Sequence, residues 1–174
     1  MPDLSFKILS ATPGIDLVTP ALEFNLRIEN RPPEECIQTI LLRCQIQIEV
    51  ARRRYSGQEQ RQLRDLFDDP SRWGDTLRPI TWASLSLNVP AFTGATVYPV
   101  LVPCTFDLST GTANYFHALE RGEVPVTFMF RGSIFYSGSD GQLQVAPISW
   151  NKEARFRLQV ETWKAVADRE RALS

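Results

Sequence analysis

Between Leu42 and Val50 apolar and polar residues alternate without a break, and the run leads directly into Arg52-Arg53-Arg54-Tyr55. Period-two alternation puts Leu42, Cys44, Ile46, Ile48 and Val50 on one face of a strand. Arg43, Gln45, Gln47 and Glu49 lie on the other. The apolar face predicts core, and the polar face is either solvated or covered by a partner. This strand is expected over residues 37–52. Before it, Leu4, Phe6 and Ile8 mark a strand over 3–10 that stops at the turn signal Thr12-Pro13-Gly14. Leu22, Phe24, Leu26 and Ile28 mark a second, closed by Asn30-Arg31-Pro32-Pro33.

The period changes at Ser56. Ser56 and Glu59 have capping-box spacing, and Leu63, Leu66 and Phe67 then share one helical face. Asp68-Asp69-Pro70 ends this short helix, and Trp73-Gly74 reads as loop. Strands resume with Thr81, Ala83, Leu85, Leu87 and Val89 on one face and Trp82, Ser84, Ser86 and Asn88 opposite. Residues 90–94 are expected as loop. Residues 97–108 are strand-like, with Pro99 and Pro103 marking an edge or a bulge. A second short helix is expected over 112–121, closed by Gly122. Val124, Val126, Phe128 and Phe130 alternate again, Ser137-Gly138-Ser139-Asp140-Gly141 turns into Leu143 and Val145, and Phe156, Leu158 and Val160 form a last strand. From Glu161, Trp163, Val166 and Ala167 have helical spacing. About eight strands, each with one apolar face to bury, predict a mainly β fold: an antiparallel two-sheet β-sandwich with two short helical insertions and a C-terminal helix. No repeat or linker divides residues 1–174, which read as one domain.

Composition narrows the class of function. A hydrophobic share of 43% with 22% charged residues fits a folded domain. The formal charge of −1 lacks the basic excess of a nucleic-acid binder. No apolar run is long enough to cross a bilayer, and Met1-Pro2-Asp3-Leu4-Ser5-Phe6-Lys7 does not have the order of a signal peptide, so a cytoplasmic protein is expected. Three cysteines, Cys36, Cys44 and Cys104, in or beside strand-like runs are unlike a disulfide framework.

Candidate chemistry is sparse. Dinucleotide, Walker, nucleophile-elbow and zincin motifs do not occur. His117 is the one histidine, so a multi-histidine metal site is excluded, and a structural or surface role is the plainer reading than a general base. Cys44 lies on an apolar face, where a cysteine acts as a small hydrophobe, and the cysteine spacings are not those of metal ligands. The carboxylates from Asp68 to Asp75 do not follow EF-hand spacing and read as helix-terminating residues. Neither a metal nor a cofactor is expected. Arg52-Arg53-Arg54 would suit a phosphate or an acidic partner, against the plainer reading of a solvated strand end. Trp73, Trp82, Phe92, Tyr98 and Trp150 are spread along loops and strand ends, where exposed aromatics favour protein interfaces; Trp82, on the face opposite Leu85 and Leu87, is either a surface anchor or packs under a helix. The candidate interaction surface is therefore Arg52, Arg53, Arg54, Tyr55, Trp73, Asp75, Arg78 and Trp82.

Leu42-Arg43-Cys44-Gln45-Ile46, Arg53-Arg54-Tyr55, Leu66-Phe67, Arg72-Trp73-Gly74-Asp75-Thr76-Leu77-Arg78, Val102-Pro103-Cys104-Thr105 and His117-Ala118-Leu119 occur in this order. With them the chain resembles, over nearly its full length, a bacterial domain-of-unknown-function family. Arg-Trp-Gly-Asp-Thr is the most specific stretch. The resemblance implies a gene setting beside nickel-iron hydrogenases of the actinobacterial type, and hence a role in their assembly or maturation, with hydrogenase subunits or accessory proteins as partners. It carries no catalytic residues with it.

The leading expectation is a non-enzymatic accessory or protein-interaction domain. The alternative is a small-molecule-binding sandwich with an apolar pocket between the sheets, lined by Trp82, Phe128 and Phe130. An enzyme using His117 with Cys104 or a nearby carboxylate is a third reading. Homo-oligomerisation through an open edge at Val97–Val102 is also expected as a possibility to test.

Overall fold

The computed structural model describes residues 1–14, 19–104 and 110–173. Strands β1 (Asp3–Pro13), β2 (Ala21–Arg31) and β3 (Cys36–Ile48) come first. Short helices α1 (Gly57–Gln62), α2 (Arg64–Phe67) and α3 (Trp73–Thr76) follow, then β4 (Ile80–Val89), β5 (Phe92–Thr93) and β6 (Ala95–Pro103). Helix α4 (Thr110–His117), strands β7 (Glu123–Ser137), β8 (Leu143–Pro147) and β9 (Glu153–Gln159), and helix α5 (Val160–Leu173) complete the order. The strands make two antiparallel sheets, one ordered β1-β2-β6 and one ordered β4-β3-β7-β8, with β5 pairing β3 and β9 pairing β7. This is the mainly β, sandwich-like architecture that the alternation predicts.

The two sheets meet through aromatic side chains. Phe6 of β1 stacks on Phe130 of β7 at 4.1 Å, and the wholly buried Phe24 of β2 meets Phe128 edge-on at 5.0 Å. Helix α5 turns Trp163, Val166 and Ala167 inward, and Trp163 stacks on Phe116 of α4 at 4.8 Å. Among the described residues no helix is long and apolar enough to cross a membrane.

Several boundaries move. The first strand runs through Thr12 and Pro13, because Pro13 still pairs with Leu22. Residues 50–52 leave the third strand as a 3-10 turn. The loop expected at 73–74 begins α3. The strand expected over 97–108 ends at Pro103, and residues 105–108 lie outside the described residues. Helix α4 stops at His117 instead of reaching Gly122. The N–H groups of Ala118 and Leu119 still bond to the Asn114 and Phe116 carbonyls, but that of Glu120 donates to the Glu59 carboxylate at 2.9 Å instead of continuing the helix.

Trp82 is the largest correction. The register between β3 and β4 slips between Ile46 and Gln47: Ala83 faces Ile46, Thr81 faces Gln47, and Trp82 is the extra residue. A bulge reverses the facing of the residue it adds. Trp82 therefore points inward, 5% exposed, against Phe24 at 6.0 Å and Phe116 at 5.7 Å. It belongs to the core, not to the interaction surface. It also fails to line a pocket between the sheets, since Phe24 occupies the space between Trp82 and Phe128.

Strand β6 is an edge. Cys104 donates its N–H to Pro20 at 3.0 Å, so even positions turn their N–H toward β2 and odd positions turn theirs outward. Pro99 and Pro103 are odd. They cost the ladder nothing and remove two donors from the open side, which blunts the edge for strand addition.

Candidate functional site

The polar face of β3 is the outer face of the larger sheet. Cross-strand register places Gln47, Thr127 and Arg155 in one row, Gln45, Met129 and Glu153 in the next, and Ser86, Arg43 and Arg131 in a third. Where β3 gives way to the 3-10 turn, Arg52 and Arg54 come in from the end of that strand beside Arg155, and Arg157 stands opposite Pro125.

A cleft of about 510 Å³ opens there, lined by Glu49, Arg52, Arg53, Arg54, Glu123, Arg155 and Arg157 with Val126 and Phe156 beneath. Arg155 and Arg157 were not singled out by the sequence. Their signal is the alternation Glu153-Ala154-Arg155-Phe156-Arg157-Leu158, whose polar half faces outward. That they join Arg52 and Arg54 follows from β9 pairing β7, which no local pattern encodes. Two of the cleft's ion pairs are loose: Arg157 lies 3.8 Å from Glu123 and Arg155 lies 3.6 Å from Glu153, with both arginines largely exposed. Such surface pairs hold a side chain weakly.

Arg53 is different in kind. Its side chain is 8% exposed and that of Glu59 is 5% exposed. The Arg53 Nη1 donates to Glu59 at 3.2 Å and Nη2 donates at 3.1 Å, a bidentate pair. Its Nε donates to the Glu123 carbonyl at 3.0 Å, Nη1 also to the Arg54 carbonyl at 3.1 Å, and Nη2 also to the Arg121 carbonyl. All five guanidinium N–H groups are thereby used. Glu59 in turn accepts from the Ser56 N–H at 2.9 Å, and Ser56 Oγ accepts from the Glu59 N–H at 3.1 Å. This is the capping box that the spacing predicts, with the carboxylate drawn into a larger network. Burial pushes the Glu59 carboxyl up, but the bonds from Arg53, Ser56 and Glu120 outweigh it and hold the carboxyl below the usual range. Arg53 is therefore a structural tie and is not available to a ligand.

The remaining candidates divide by exposure. Arg52, Arg54, Asp75 and Arg78 are exposed. Tyr55 and Trp73 are half-buried and pack together edge-on at 5.5 Å, with Phe67 beside Trp73 at 6.5 Å. The Tyr55 hydroxyl donates to the Val50 carbonyl at 2.5 Å, so the 2.7 Å contact between the two hydroxyls has Tyr115 as donor. Burial raises both phenols above their ordinary value. The guanidinium of Arg53 lies 5.1 Å over the Tyr55 ring. Tyr55 and Trp73 thus anchor the helical insertion, and Asp75 and Arg78 stand apart from the arginine cleft's lining.

The acidic loop caps helices. Asp69 accepts from the Ser71 N–H at 3.0 Å, and Asp68 accepts from Arg72 at 2.8 Å. Among the described residues no group of three or more His, Cys, Asp or Glu side chains gathers as metal ligands would. His117 is exposed on α4, its ring edge-on to Trp163 at 4.9 Å. It shares a hollow of about 380 Å³ with Asp65, Gln62 and Asn114, and among the described residues this lining holds no serine, threonine, cysteine or lysine. Burial pushes the Cys44 thiol up to about 12, which suppresses its thiolate. Cys104 is also buried, its S–H donating to the Val102 carbonyl at 3.4 Å.

The profile of a family of unknown function, DUF6084, matches residues 1–172. The chain belongs to that family. This DUF6084 chain matches no curated protein. Among solved structures it is similar to β-glucosidase 3B from Thermotoga neapolitana, in its complexes with α-D-glucose and with glycerol. Identity is 14% in both, with TM-scores of 0.31 and 0.30 and coverage of 88% and 90% of this chain. The chain spans 17% of the length of that enzyme. At these scores the likeness supports no statement about activity.

Proposed function

We propose that this chain is a non-enzymatic accessory domain that binds an acidic protein partner across the outer face of its larger sheet. One observation carries the reading. In a chain of net charge −1, the cleft between the end of β3 and strands β7 and β9 gathers five arginines against two glutamates. Arg53 is neutralised by Glu59 behind the cleft, which leaves Arg52, Arg54, Arg155 and Arg157 facing Glu49 and Glu123. A basic, partly apolar hollow of this kind steers and orients a negatively charged surface. The family resemblance makes subunits of a nickel-iron hydrogenase, or their accessory proteins, the first partners to try. The reading sets the domain in the cytoplasm, in keeping with three cysteines outside any disulfide.

The test is co-purification from the native organism with the tagged chain and with an R52E/R155E/R157E variant. The expected result is a hydrogenase subunit or accessory protein enriched by the unaltered chain, and lost with the variant and at raised salt. Recovery of the chain alone, or identical recovery by both proteins, overturns the reading.

A further inference from the structure

Two rows along the sheet from the cleft, Arg43 of β3 and Arg131 of β7 stand directly opposite each other. Like charges in a directly opposed cross-strand pair destabilise a sheet. Such a pair is ordinarily relieved by a neighbouring carboxylate. Here, among the described residues, neither arginine forms an ion pair with a carboxylate.

The surroundings are rich in donors. Ser86 of β4 completes the row beside Arg43, and Ser84, Gln45, Met129 and Glu153 occupy the adjacent row, with Glu153 turned to Arg155 at 3.6 Å. The two arginines, Ser84, Ser86, Gln45 and Met129 line an open groove of about 310 Å³, in whose lining no acidic residue stands among the described residues. Gly132 holds the row tight. Its φ is +145°, and a Cβ there would lie 1.9 Å from the Leu41 carbonyl oxygen, so β7 comes closer to β3 beside Arg131 than a side chain at 132 would permit.

We propose that the Ser86–Arg43–Arg131 row is a binding site for a phosphate monoester. Two guanidiniums supply two positive charges and planar pairs of donors, which match a dianion with three terminal oxygens. The hydroxyls of Ser84 and Ser86 and the Gln45 amide supply neutral hydrogen bonds at one flank. Bound phosphate removes the repulsion between the arginines. The phosphate can belong to a free metabolite or to a phosphorylated side chain. The site does not depend on the docking role of Arg52, Arg54, Arg155 and Arg157.

Calorimetric titration with phenyl phosphate, inorganic phosphate and a short phosphoserine peptide, at constant ionic strength, tests this. Expected is saturable binding that falls at least tenfold in R43Q and in R131Q, and is unchanged in K7Q, which removes an exposed charge on β1 of the other sheet. Tighter binding of the peptide than of phenyl phosphate points to a phosphorylated partner, and the reverse points to a free ester. A second readout is thermal unfolding. Without phosphate, R131Q is expected to melt no lower than the unaltered chain, and phosphate is expected to raise the midpoint of the unaltered chain only. Absence of saturation with all three probes, or affinity unaltered in both variants, overturns the proposal.

Discussion

The guanidinium of Arg53 and the carboxylate of Glu59 lie across a bidentate contact of 3.1–3.2 Å, and each is bonded on every remaining side by backbone. Breaking a buried pair leaves its partner charged and unmatched, which costs about 3–5 kcal/mol. R53A is expected to lower the urea unfolding free energy by about that amount. R53K, which keeps the charge but not the fork, is expected to recover less than half of it. A loss under about 1 kcal/mol in R53A would show that the pair is solvated in solution and not buried.

Glu59 also predicts an acid response. Its folded carboxyl titrates below the unfolded value of about 4.3. The stabilisation is therefore complete above that unfolded value and is lost as pH falls through the lower folded one. In E59Q this component is absent, so stability is expected to fall less between pH 5 and pH 2 than in the unaltered chain. Parallel pH profiles for the two proteins would refute the assignment.

The β6 edge predicts association behaviour. P99T restores an outward N–H between the exposed Val97 and Leu101. The variant is expected to show a larger weight-average mass by light scattering at high concentration. An unchanged mass would mean that Pro99 is not what keeps this edge unpaired.

Gly132 is a position where only glycine fits. G132A meets the Leu41 carbonyl and places a side chain at a strained φ. The expected cost is about 3 kcal/mol in denaturant unfolding. A loss below about 1 kcal/mol would indicate that β7 shifts freely at this point.

What the sequence could tell depended on whether neighbours in space were neighbours in the chain. The alternation from Leu42 to Val50 is local, and the strand it predicts is the centre of the larger sheet. The Ser56–Glu59 capping box is local too, and it forms. The facing of Trp82 is not legible in β4 alone, because a bulge depends on pairing with β3, not on the residues of β4 themselves. The early end of α4 was hidden for a similar reason, since the carboxylate that captures the Glu120 N–H comes from 61 positions earlier. The arginine cleft is the sharpest case. Arg52 and Arg54 were visible as a run, whereas Arg155 and Arg157 alternate with Phe156 and Leu158 and carry no mark of their destination until β9 is paired.

The tie between Arg53 and Glu59 has a consequence for Arg52 and Arg54. Both residues flank a position whose side chain is bonded to the starts of α1 and β7 and to the turn at Arg121, so their backbone is fixed before anything binds. The entropy of ordering that segment is spent during folding. A ligand in the cleft has then to restrain only the outer guanidinium arms, and its association should resemble docking onto a preorganised surface, with little of the slow step that accompanies loop ordering.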